Sequence, residues 1–190
     1  AEGDRIFQSM AAYIRRGVTP IDPSPLILKA DTPKLTPYVP DRDMQELVVR
    51  QIITDNEEIS ISSALTSLGI SAGLTRRIHW EIRFSPGTAI QRQEEIMEVI
   101  RSSGELYNTN KERLCNESAE DNEVQLLIRE QEDPRGMHSR QSLVSRFGCR
   151  EIESIRRGVL WSVRGDSQGV LESHILMNPH AYKGYYYENR

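Results

Sequence analysis

Residues 60–69 read SISSALTSLG and residues 139–148 read SRQSLVSRFG, and a shift of 79 lays one on the other. Ser60 falls on Ser139, Ser63 on Ser142, Leu68 on Phe147 and Gly69 on Gly148. The same shift carries upstream without a gap, so that Leu47-Val48-Val49-Arg50 meets Leu126-Leu127-Ile128-Arg129. Features that agree in the same order point to an internal duplication. A duplication constrains architecture more directly than activity.

Working outward from the first copy, Met44, Leu47, Val48 and Ile52 fall on one stripe, and this spacing predicts a helix over about 42–55. A second short helix over about 60–68 ends at Gly69, and a third begins near Ser71 and runs through LTRRIHW. A glycine between two short helices suits a tight corner that needs positive φ. Trp80 to Phe84 alternates apolar and charged residues as a strand does, and Ser85-Pro86-Gly87 reads as a turn. A further helix over 90–104 places Ile96, Met97 and Ile100 on its apolar side.

The second copy repeats the order. Helices are predicted over about 121–132, 139–147 and 150–158, with the corner at Gly148. VLWSVRG and VLESHILM, separated by DSQG, read as a β-hairpin. Trp80 and Trp161 match if two residues of slack are allowed. At the N-terminal end, Ile6, Met10 and Ile14 form a helix face. Prolines at 20, 23, 25, 33, 37 and 40 then make an extended arm that carries Leu26, Ile27 and Leu28.

Helix, helix, corner, helix, strand, turn resembles the winged helix, and the whole resembles tandem winged-helix proteins. The expected fold class is therefore mainly α with short β-hairpins, as two winged-helix-like units in tandem preceded by an N-terminal helix and a Pro-rich arm. The expected divisions are 1–41 for helix and arm, 42–107 for the first unit, 108–120 for an acidic linker, and 121–190 for the second unit with its aromatic tail.

The 190 residues carry a formal charge of −4 and only two cysteines, Cys115 and Cys149. That balance argues against a protein coating nucleic acid or anionic membrane with its whole surface. Two cysteines rule out a disulfide framework or a four-cysteine zinc site. No apolar run approaches the roughly 20 residues of a membrane span, and no secretion signal opens the chain, so an intracellular, cytoplasmic or nuclear location is expected. Charge is unevenly placed. Window 135–164 holds seven arginines against two glutamates, whereas 91–133 holds five basic residues against twelve acids.

No GxSxG, HExxH, GxxxxGK[ST] or CxxC occurs, and these are the short motifs whose spacing carries a mechanism. His79, His138, His174 and His180 are scattered. The expectation is a non-enzymatic protein without catalytic residues, metal or cofactor. In the winged-helix resemblance the third helix enters the major groove and the wing touches backbone. It therefore implies phosphate contacts for Arg76 and Arg77 in the first copy and for Arg150, Arg156 and Arg157 in the second, with Arg83 and Arg164 near the wings.

Tyr182, Tyr185, Tyr186 and Tyr187, together with Leu26, Ile27 and Leu28, are the candidate partner-binding residues, because tyrosine clusters are enriched in protein interfaces. The first reading is a DNA- or RNA-binding protein acting through the Arg-rich third helix and wing of the second unit. The alternative is a protein–protein scaffold or self-assembling structural subunit, including one from a virus, that uses the arm and the tail.

Overall fold

The computed structural model describes residues 33–41, 43–115 and 122–187. In chain order these form β1 (Thr36–Pro37), β2 (Met44–Gln51), α1 (Asn56–Ser67), β3 (Ala72–Phe84), α2 (Ile90–Ser103), β4 (Glu112–Leu114), β5 (Glu123–Glu130), α3 (Pro134–Phe147), β6 (Ile152–Gly165), α4 (Ser167–Glu172) and β7 (Tyr182–Tyr186). The strands make one sheet in the order β1-β7-β5-β6-β3-β2-β4. β1 runs parallel to β7, and every other pairing is antiparallel.

This mixed α/β architecture overturns the expected mainly α fold of two tandem winged helices. The stretches around 42–55, 71–79, 121–132 and 150–158, expected as helices, are the strands β2, β3, β5 and β6. Leu47 and Val49 of β2 are buried beside Ile96, Met97 and Ile100 of α2, while the intervening Val48 packs with Leu127 and Leu160. Strand alternation accounts for these positions better than a helical stripe does. The expected wing is also replaced: β6 runs unbroken to Gly165, and DSQG starts α4.

Other local expectations stand. The helices expected near 60–68, 90–104 and 139–147 are present as α1, α2 and α3. Gly69 and Gly148 take φ of 77° and 70°, the left-handed conformation that a side chain disfavours.

The shift of 79 residues carries β2 onto β5 end to end and α1 onto α3. After the glycine corner the offset becomes 81, as the central pairing shows. Ile78 pairs with Val159, and on either side Arg76 pairs with Trp161 and Trp80 with Arg157. The two repeats thus face each other across an axis between Ile78 and Val159, giving half-sheets β7-β5-β6 and β3-β2-β4 that mirror each other.

The helices share one face of the sheet. Leu143 of α3 joins the α2 side chains over Ile78, Trp80, Ile82 and Phe84. Leu65 of α1 and Val170 and Leu171 of α4 pack over Leu126, Ile128, Trp161 and Val163. The opposite face holds a small cluster of Tyr38, Leu127, Leu160 and Tyr187, set among buried polar groups.

Candidate functional site

The seven candidate arginines do not converge on one surface. Arg76 and Arg77, neighbours on β3, point to opposite faces, and both are buried. Arg76 pairs with Asp55 at 3.0 Å and Glu57 at 2.6 Å, and its backbone N–H donates to Glu58 at 2.7 Å. Arg77 donates to Ser162 Oγ at 2.6 Å. Arg83 pairs with Asp41 at 3.0 Å, and Arg164 with Glu123 at 2.8 Å. Arg150 and Arg156 are exposed. Arg157 is partly buried, with its guanidinium 6.0 Å from the centre of the Trp80 ring. Because β3 and β6 replace the third helices, the recognition-helix geometry that grouped these arginines is absent. Arg76 and Arg157, one from each repeat, do meet, in a cleft on the helix-covered face.

The candidate tyrosines fold back onto the sheet. Tyr182 packs with the Leu126 and Met177 cluster, while Tyr185 and Tyr187 join the cluster on the other face. Tyr186 is exposed, and its carbonyl accepts from Tyr38 N–H at 2.7 Å. The arm and the tail therefore meet each other, through the β1–β7 pairing and this hydrogen bond. Leu26, Ile27 and Leu28 lie outside the described residues.

On the face opposite the helices, alternation along β3 brings Arg77, His79 and Glu81 to the same side. His79 is fully buried. Its Nε2 lies 2.6 Å from Glu46 Oε1 and its Nδ1 lies 3.3 Å from Arg129 Nη2. A carboxylate only accepts, so Nε2 carries the proton and Nδ1 accepts from the guanidinium. Arg129 also pairs with Glu81 at 2.8 Å, and Tyr38 Oη donates to Glu81 at 2.9 Å.

Tyr38 stacks on Tyr187 with ring centres 5.5 Å apart, and both meet the His79 ring edge-on. Burial, aided by Arg129, holds the His79 imidazole below its ordinary value, against the pull of Glu46. Burial raises the Glu46 carboxyl, but the hydrogen bond and charge of His79, with Tyr38 and Arg129, together outweigh it, and the net shift is downward. Burial pushes Tyr38 upward and Tyr187 up to about 12.

The network couples the arm, the tail and both repeats. His79 is sealed from solvent, whereas its partner Glu46 is 25% exposed. Sequence reasoning missed Glu46, Glu81, Arg129 and Tyr38. The alternation of charged and apolar residues through IHWEIRF, continued backward into Arg77, could have found Glu81 beside His79.

No group of three or more His, Cys, Asp or Glu side chains among the described residues is placed to hold a metal ion. No described helix is long and apolar enough to cross a membrane.

The corner between β2 and α1 differs in kind. Ile52, Ile53 and Ile59 are 54%, 52% and 52% exposed. The shift of 79 places Gln131, Glu132 and His138 at these positions in the second repeat, so these three positions are apolar in one repeat and polar in the other, where Met137 is the exposed apolar residue of the corner. Ile53 and Ile59 line a shallow depression of about 220 Å³ together with Arg50, Asp55 and Glu58. No protein-family model matches this chain, and no curated protein matches it.

Proposed function

We propose that this protein is a non-enzymatic, self-assembling scaffold subunit, and that the β2–α1 corner of its first repeat is the surface that meets a second copy. The observation that carries the reading is the exposure of Ile52, Ile53 and Ile59 where the sister repeat has Gln131, Glu132 and His138. A fold that keeps the polar version of this corner in one copy has no packing need for the apolar version in the other. Scattered surface isoleucines are ordinary, but a cluster with a charged rim favours an interface.

The rim supports a copy of the same chain as the occupant. Arg50 lines the depression with Glu58, so a two-fold contact sets the cation of one copy against this acid of the other. Three isoleucines supply only the centre of an interface, since a stable one buries about 800 Å² per partner. Neighbouring polar residues would complete it.

Light scattering on the full chain tests this. The expected result is a dimer at micromolar concentration that the double substitution Ile53→Glu and Ile59→Glu converts to monomer without changing the circular dichroism. A wild-type monomer that binds DNA or RNA with a steep salt dependence would overturn the scaffold reading in favour of a nucleic-acid ligand.

A further inference from the structure

The helix-covered face is not fully closed. Where the first turns of α1 and α3 approach the sheet axis they leave a cleft of about 390 Å³, within the usual size range of small-molecule sites. Arg76 and Arg157 lie on its strand side, Arg135 comes from the first turn of α3, and His174 and Asn178 come from the segment after α4. Ile61, Val159 and Ile175 give it an apolar wall.

The charges in the cleft are unevenly satisfied. Arg76 is neutralised by Asp55 and Glu57. Asp133 is committed to main-chain donors, accepting from Gly136 N–H at 2.8 Å and from the N–H of Arg157. Arg135 and Arg157 make no ion pair among the described residues, and the exposed Glu130 is the one remaining acid in the wall. Burial, with Arg135 and Arg76 nearby, depresses the Arg157 guanidinium below its ordinary value against the smaller pull of Glu130 and Asp133.

His174 adds a separate sign. Its backbone takes φ of 56°, a costly conformation for a residue with a side chain. Its Nε2 is buried with no hydrogen-bond partner among the described residues. The chain thus positions a polar ring in the cleft wall and leaves one of its nitrogens unused.

We infer that this cleft binds a phosphate monoester of a compact, partly apolar molecule, with the phosphate between Arg135 and Arg157 and the organic part against Ile61, Val159 and Ile175. Guanidinium groups match phosphate oxygens in paired geometry.

The test is a titration of the full chain followed by amide and indole NMR, with adenosine 5′-monophosphate, inorganic phosphate and adenosine as probes. The monophosphate is expected to shift signals of Ile61, Trp161 and His174, and to bind about tenfold more tightly than either fragment. Arg135→Gln should weaken it about tenfold while leaving the spectrum of the free protein intact. Arg135 is exposed and makes no ion pair among the described residues, so this variant keeps the test sound even if Arg157→Gln unfolds the chain. Absence of shifts at millimolar probe, shifts confined to another surface, or unchanged affinity in Arg135→Gln would each overturn the assignment. Equal affinity for phosphate and its ester would overturn the role given to the apolar wall.

Discussion

His79 shows how one buried group can couple stability to pH. In the folded chain it is neutral, its Nε2–H donating a hydrogen bond to Glu46 and its Nδ1 accepting one from Arg129. Its folded value is depressed, whereas an unfolded imidazole titrates near about 6.5. Below that pH the unfolded state therefore binds the extra proton first, and stability falls as pH falls, by up to about 1.4 kcal/mol per pH unit for the one proton. Glu46, also depressed, adds a further loss as pH drops through the carboxylate range. Urea titrations at pH 7.5 and 5.5 should show the decline, and His79→Gln, though less stable at pH 7.5, should show a shallower one. An unchanged slope would mean that other groups set the pH dependence.

The same residues explain what could be read at this scale from the letters alone. That Gly69 and Gly148 close helices was legible, because a positive φ leaves few alternatives. Where the arginines go was not. Arg76 and Arg77 read as a cationic helix face, yet each is buried, one against Asp55 and Glu57 and the other against Ser162. Their partners lie 19 to 85 positions away, so no local window contains the information.

At the scale of elements, the helices α1 and α3 are tied to the sheet by the same device worked with different residues. Asp55 caps α1 by accepting from Glu57 and Glu58 N–H, and Glu58 in turn accepts from Arg76 N–H. In the second repeat Asp133 performs both tasks, capping α3 at Gly136 and accepting from Arg157 N–H. Gly136 has no room for a side chain, since a Cβ there would lie 2.3 Å from the Ile155 carbonyl oxygen. Asp133→Ala removes a cap and leaves a strand N–H unsatisfied, for an expected loss of about 2 kcal/mol. Asp133→Asn, which keeps a capping oxygen and makes no ion pair to lose among the described residues, should cost less. Chemical denaturation of the two variants checks the order, and equal losses would separate the cap from the strand tie.

Element type was legible where the period was unambiguous, as in α2, and illegible in β2 and β5. MQELVVRQ and EVQLLIRE are each eight residues long, about two helical turns, and over that length Met44, Leu47 and Val48 satisfy the helical spacing while Leu47 and Val49 satisfy the strand one. What decides between them is non-local. β3 offers β2 a partner over six consecutive residue pairs, and a short segment follows the hydrogen-bonding opportunity the sheet gives it.

At the scale of the whole molecule, the doubled sequence makes one sheet rather than two separate units side by side. The join is the longest pairing in the protein, β3 against β6 from Ala72↔Gly165 to Phe84↔Ile152. Either repeat alone would expose that whole strand edge, an arrangement that invites pairing with any available strand. The helix-covered core has the same dependence, because Leu143, Cys149, Ile152 and Ile155 of the second repeat pack in one cluster with Ile78, Trp80 and Ile82 of the first. A protease site placed between Cys115 and Asn122 should therefore yield two pieces that stay together through gel filtration and separate only in denaturant. Each piece expressed alone should be largely unfolded or aggregated, and mixing the two from denaturant should restore the circular dichroism of the intact chain. Independent elution of two folded pieces would show that each repeat closes its own core, and would remove the axis between Ile78 and Val159 as the organising feature of the fold.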